Sequence, residues 1–167
     1  MNGQTYFEAP HYYRPLLPRP AVFLAGGITG CPDWQSDAAE QLHDADPRLV
    51  VLNPRRADFP IDDPAQGPVQ VAWEQHHLHL PGTVTLFWFP ACDPAVTTAP
   101  IALFELGQAL GERRPVVIGA DPGYPRHTDV QLLTALCRSG TEVHTTLSAT
   151  VTAALDPTAG WPSFFGR

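Results

Sequence analysis

At 167 residues the chain has room for one domain of ordinary size, and an apolar fraction of 44% is enough for a hydrophobic core. A formal net charge of −7 repels phosphate backbones and sets aside nucleic acid as a partner. No run reaches the roughly 20 apolar residues of a membrane span, so no membrane association is expected.

Three cysteines, Cys31, Cys92 and Cys137, lie far apart without a CxxC pair. They form neither a disulfide framework nor a zinc ribbon and read as reduced thiols. Residues 1–20 are polar, aromatic and proline-rich, without the basic-then-apolar order of a signal peptide. The sequence therefore predicts an extended arm and a cytoplasmic protein.

Beyond the arm, short apolar runs alternate with amphipathic stretches. Residues 21–25 (AVFLA) read as a buried strand broken by Gly26-Gly27. Residues 33–44 read as a helix, and 49–52 (LVVL) as a second strand ended by Asn53-Pro54. A Pro- and Asp-rich loop, 55–68, leads to a helix over 69–80 and a strand over Thr83–Phe89. A helix over Pro100–Gly111 follows, then a strand over 115–118, a helix over 127–138, a short strand over 142–144 and a helix over Leu147–Leu155. The expected organisation is the arm, one domain over 21–156 and a tail over 157–167. Strands that are continuous apolar runs separated by helices imply a parallel sheet covered on both faces. Five such units predict an α/β, flavodoxin-like three-layer sandwich with a five-stranded sheet in the order 2-1-3-4-5.

In such sheets ligands bind beyond the carboxyl ends of the strands. That rule selects the loop Gly26-Gly27-Ile28-Thr29-Gly30, where glycine admits close backbone approach. It also selects Asn53-Pro54-Arg55-Arg56, the loop opening at Phe89-Pro90 and reaching Asp93, and Gly119-Ala120-Asp121-Pro122. Neither GxGxxG nor GxxxxGK[ST] is present, so no dinucleotide or ATP cofactor is expected. Glu105 is the only charged residue between Asp93 and Glu112, early in an apolar helix. A carboxylate in apolar surroundings is paired, protonated or functional; the alternative is a glutamate on the helix's solvent face. Glu74 precedes the third strand, and paired carboxylates can divide nucleophilic and proton-handling work. It is otherwise an ordinary surface residue. His76, His77 and His79 lack a third ligand and the HExxH pattern, so they read as a solvated helix face rather than a metal site. Trp34, next to the glycine loop, is the aromatic best placed to stack on a base. Arg55 and Arg56 are suited to a phosphate or carboxylate, or to pairing with nearby aspartates.

These segments together resemble the nucleoside 2-deoxyribosyltransferase-like family, in its poorly characterised bacterial branch. The likeness rests on Val22-Phe23-Leu24-Ala25-Gly26-Gly27-Ile28, Asp33-Trp34-Gln35, Leu52-Asn53-Pro54-Arg55-Arg56, Trp73-Glu74, Leu86-Phe87-Trp88-Phe89-Pro90 and Phe104-Glu105-Leu106-Gly107. It extends through Val117-Ile118-Gly119 and Tyr124-Pro125-Arg126. The resemblance implies a flavodoxin-like fold, Glu105 as nucleophile and Glu74 as an acidic residue handling base or sugar. The implied reaction is cleavage or transfer at the N-glycosidic bond of a nucleoside or nucleoside 5′-monophosphate through a ribosyl-enzyme ester. It also implies a homodimer or larger assembly. The strand-end loops and the matched segments together give Gly26, Gly27, Ile28, Trp34, Gln35, Asn53, Arg55, Arg56, Asp93 and Thr98 as candidate substrate-binding residues.

Two departures stand out. The nucleotide-hydrolysing branch often has a serine shortly before the glutamate for the 5′-phosphate, where this chain has Thr97 and Thr98. The transferases use an acidic residue in the same loop, and Asp93 is the candidate. The irregular loop over residues 93–100 leaves a second reading open: a catalytically inactive nucleotide-binding or sensor module on the same fold.

Overall fold

The computed structural model describes residues 4–17, 19–60 and 62–156. The tail expected over 157–167 lies outside the described residues. The elements in chain order are β1 (Tyr6–Glu8), β2 (Ala21–Gly26), α1 (Trp34–Ala45), β3 (Val50–Asn53), α2 (Gln66–Leu78) and β4 (Thr83–Phe89). They continue with α3 (Pro100–Gly111), β5 (Val116–Ala120), α4 (His127–Cys137), β6 (Val143–His144) and α5 (Leu147–Leu155). The sheet is six-stranded in the order β1-β3-β2-β4-β5-β6, and every pairing is parallel.

The flavodoxin-like α/β class holds, but the sheet has six strands rather than five. The additional edge strand comes from the segment read as an extended arm: Tyr6, Phe7 and Glu8 pair with Val51, Leu52 and Asn53. The order of the remaining five is the expected one. The arm is tied down further along, where the Trp73 indole donates to the His11 carbonyl at 2.9 Å. The Tyr13 N–H donates to His77 Nε2 at 3.0 Å. An acceptor at Nε2 leaves the His77 proton on Nδ1, which meets the Trp73 carbonyl at 2.7 Å. Burial lowers the His77 pKa to about 4. His77 is thus a core histidine, not part of a solvated face.

Strand side chains alternate between two apolar layers, as the pleat requires. Phe23, Ala25, Leu52, Phe87, Phe89 and Ile118 point to the side covered by α2, α3 and α4. Val22, Leu24, Val51, Leu86, Trp88 and Val117 point to the side covered by α1 and α5. On α1 the buried residues Trp34, Gln35, Ala38, Ala39 and Leu42 recur at helical spacing. Asp33 caps this helix, accepting from the Ser36 N–H at 3.3 Å. Pro100 opens α3, where its missing N–H costs no intrahelical bond, after Ala99 turns the chain at φ 48°. No helix among the described residues is long and apolar enough to cross a membrane.

Candidate active site

Beyond the carboxyl end of β2, between α2 and the start of α3, lies a cavity of about 330 Å³. One wall is the backbone of Gly26, Gly27, Ile28 and Thr29; a second is α2, with Gln70, Val71 and Glu74; a third runs from Thr97 through the first turn of α3 to Glu105. Size and position are those of a small-ligand site at a sheet edge.

Glu105 is only 7% exposed. It lies one turn and a half into α3, on the same helix face as Ala102 and Ala109, which point at the sheet. Burial raises its pKa to about 7; the charge of Glu74 adds to this and Arg114 opposes it. Among the described residues no group hydrogen-bonds its carboxyl. Burial also raises the pKa of Glu74, and a hydrogen bond from Gln70 partly offsets the rise. The two carboxyls therefore differ: one is held by an amide, the other is desolvated and bare.

Gln70 was not legible as a site residue. Its Nε2 donates both to the Pro54 carbonyl at 2.6 Å and to Glu74 Oε1 at 2.9 Å. One turn before Glu74 on the same helix face, it was detectable only by asking what could hold that carboxylate at i−4.

The other expected residues divide between the cavity and its supports. Gly26, Gly27 and Ile28 line the cavity. Trp34 does not: it is 2% exposed, on the α1 side, and its indole donates to the Gly27 carbonyl at 2.8 Å. This corrects its expected stacking role. Gln35 is fully buried and reaches the same carbonyl at 3.4 Å. Asn53 accepts from the Arg55 N–H at 2.9 Å and donates to the Tyr6 hydroxyl at 2.7 Å.

Arg55 is committed to the glycine loop. Nη1 donates to the Pro32 carbonyl at 2.8 Å and to Gln35 Oε1 at 3.0 Å, and Nη2 donates to the Cys31 carbonyl at 3.1 Å. Its Nε lies 3.7 Å from the Asp33 carboxylate. Arg56 donates to Gln66 Oε1 at 2.9 Å and covers the Phe59 ring at 5.2 Å. Asn53, Arg55 and Arg56 border a second, polar pocket of about 470 Å³ that shares Ile28 and Thr29 with the first. Asp93 is exposed and holds its own turn through the Ala95 N–H at 2.9 Å. Thr98 faces the α3–α4 groove, its carbonyl accepting from the Tyr124 hydroxyl at 2.7 Å. Thr97 is the threonine at the cavity, with Oγ1 accepting from the Ala99 N–H at 3.0 Å. Among the described residues no three of His, Cys, Asp and Glu gather as metal ligands.

The Arg55 contacts carry a prediction. Arg55→Ala is expected to cost about 2–3 kcal/mol, because two loop carbonyls and the Gln35 side chain lose a charged donor. Lysine is not expected to rescue it, since one ammonium cannot span the planar fork. Thermal denaturation checks this; an Arg55→Lys midpoint equal to wild type would refute it.

Fold and cavity define a parallel α/β sandwich with two carboxylates at the sheet's carboxyl edge. Residues 19–124 match the family described as "Nucleoside 2-deoxyribosyltransferase like", and the chain belongs to that family. No curated protein matches the chain. A solved structure, a conserved protein from Enterococcus faecalis V583, is similar at 14% identity over 80% of this chain and 86% of that one, with a TM-score of 0.43.

Proposed function

We propose that this protein breaks the N-glycosidic bond of a nucleoside or nucleoside 5′-monophosphate, with Glu105 as the nucleophile. The observation that carries the reading is a bare, buried Glu105 sharing a ligand-sized cavity with an amide-held Glu74. The family supports glycosyl-transfer chemistry in general.

In this mechanism a Glu105 oxygen attacks the anomeric carbon as the base departs with the glycosidic electron pair. Glu74, when it holds the proton, passes it to the leaving base. The charge of Glu74 raises the Glu105 pKa, so the two protonations are linked, and the reactive form is the one with Glu105 ionised and the proton on Glu74. The resulting ribosyl ester reacts with a second base to give transfer, or with water to give hydrolysis. Gly26, Gly27, Ile28 and Thr97 contact the sugar; Trp34, Gln35, Asn53 and Arg55 hold the loop that does so.

The test is incubation with a panel of nucleosides and their monophosphates, following free base by chromatography, with Glu105→Ala as control. A 2-fluoro sugar analogue is expected to label Glu105. Tight nucleotide binding without base release from any substrate would instead favour the inactive binding module.

Glu74→Gln is expected to lower kcat/KM by about 10²-fold through loss of the proton donor. It also removes a charge that raises the Glu105 pKa. The acidic limb of the pH–kcat/KM profile should therefore move to lower pH. An unmoved limb would show that the two carboxyls are not coupled.

A second copy is proposed to close the cavity. Ile101 and Phe104, 65% and 70% exposed, present apolar surface on α3 beside the Glu105 wall. Sedimentation velocity is expected to show a dimer or larger species at micromolar concentration; a monomer throughout that range counts against it.

A further inference from the structure

The two carboxyls of the cavity lie one level deeper than a set of apolar residues at its mouth. Gly67, Gln70, Val71 and Glu74 line the cavity from α2 at the spacing of one helix face. Both α2 and α3 link parallel strands, so they run back from the carboxyl edge of the sheet and their first turns stand at the mouth. Val71 on α2 and Ile101 on α3 are therefore about one turn, roughly 5 Å, nearer the mouth than Glu74 and Glu105.

Phe59 lines the same cavity from the loop after β3 and is 44% exposed. Phe23, the other aromatic lining the cavity among the described residues, is 1% exposed and belongs to the core. The Arg56 guanidinium lies over the Phe59 ring at 5.2 Å. Arg56 also donates to Gln66 Oε1 at 2.9 Å, and Gln66 Nε2 donates to Asp63 Oδ2 at 3.0 Å. The aromatic platform is thus tied to the first turn of α2, at the outer level. Gly67 is the next residue of that turn, and a Cβ on it would meet nothing within 4 Å. The space it leaves empty is on the cavity face of α2.

We propose that Phe59 and Gly67 form the slot for the leaving base, an inference that rests on the N-glycosidic reading of the cavity. The base stacks on the ring face that Arg56 leaves open, and the bare Gly67 gives it room above Glu74. Phe59, Gly67, Val71 and Ile101 carry no side-chain hydrogen-bonding group. The slot therefore reads a base by its flat area and not by its edge. A site built to hydrogen-bond rejects analogues by about 10⁴-fold, whereas an apolar pocket separates ligands by about 10–200-fold. Purines should bind about tenfold tighter than pyrimidines, through the larger stacked area. Adenine and hypoxanthine, which differ at the edge, should bind within about threefold of each other.

The test is titration calorimetry of the full chain with adenine, hypoxanthine, cytosine and uracil as probes. Phe59→Ala should weaken adenine by about tenfold or more, and Phe59→Trp should restore it. Gly67→Leu should fill the slot and weaken adenine by at least about tenfold, with a thermal midpoint recorded beside it. Phe59 lies on an exposed loop, so its two variants decide the matter where Gly67→Leu fails to fold. Three results would overturn the proposal: no base bound by the wild type, adenine bound unchanged by Phe59→Ala, or hypoxanthine rejected by about 10³-fold against adenine. None of these measurements needs turnover. Base binding that depends on Phe59, without base release from any nucleoside, removes the proposed reaction and keeps the slot. Base release with adenine binding unchanged in Phe59→Ala does the reverse.

Discussion

Glu105→Gln should abolish base release, by at least about 10³-fold, and at the same time make the protein more stable above neutral pH. The rate loss follows from the proposed chemistry, since an amide cannot form the ribosyl ester. The stability gain follows from burial alone. In the folded chain Glu105 keeps its proton up to about pH 7, whereas an ordinary glutamate loses it near 4.5. Between those values the folded state holds more protons than the unfolded one. The stability contributed by the protonated carboxyl is complete below pH 4.5 and is lost as pH rises through about 7. At pH 8 the cost of keeping the ionised form buried is roughly 3 kcal/mol. Glutamine has the same shape and does not titrate, so the two proteins should melt together at pH 5. At pH 8 the variant should melt about 5–10 °C higher. Equal midpoints at both pH values would show that Glu105 is not held near neutrality. A variant that is more stable yet inactive also disposes of misfolding as the cause of the rate loss.

That trade is what a functional carboxylate looks like energetically. A surface glutamate costs nothing to ionise, and a structural one is paired. Glu105 is largely buried and has no hydrogen-bonding partner among the described residues. A costly buried carboxylate facing a ligand-sized cavity is what supports the proposed role of Glu105.

The central elements were readable because their sequence signals are local. The uninterrupted run Thr83–Phe89 and the helix between Pro100 and Gly111 have the bounds that apolar continuity and proline–glycine punctuation predict. The helix α2 begins at Gln66, earlier than residue 69, because Pro68 falls in its first turn, where no intrahelical N–H is required. The edge strand β1 has no such signal. Three residues in a proline-rich segment become a strand through non-local pairing with β3, flanked by the Val51 N–H on the Thr5 carbonyl and the Ala9 N–H on the Asn53 carbonyl, and through the Tyr13–His77 contact downstream.

The site was legible as a set of loops but not as a set of roles. Trp34 and Arg55 adjoin the right loop in sequence. Whether they face a ligand depends on which layer α1 occupies and on where the loop carbonyls point. The indole is turned into the α1–α5 layer, and the guanidinium is spent on the carbonyls of Cys31 and Pro32. Both therefore act through the backbone they hold. Glu105 was the opposite case: an isolated charge in an apolar helix left burial and a solvent face both open, and the structure places it buried at the wall of the cavity.

The loop those residues hold depends in turn on a missing side chain. Gly26 ends β2 opposite Trp88, at φ 156°. A Cβ there would overlap the Trp88 carbonyl oxygen and stand 2.7 Å from the Trp34 ring. The carbonyl belongs to the central strand β4 and cannot retreat without disturbing the ladder on both sides. The ring is fixed by its bond to the Gly27 carbonyl. Gly26→Ala should therefore cost roughly 4 kcal/mol, as backbone strain and overpacking together. In thermal melts that is a fall of about 10 °C. Gly107→Ala is the contrast: a Cβ on that residue, inside α3, meets nothing within 4 Å. Removing a helical glycine should stabilise by about 0.5–1 kcal/mol. If Gly26→Ala melts like wild type, the indole and the β4 backbone have yielded, and the glycine loop is not the rigid wall on which the proposed sugar contacts depend. If it falls as expected while Gly107→Ala rises, the close approach of β2, Trp88 and Trp34 is what fixes Gly27 and Ile28 in front of Glu105.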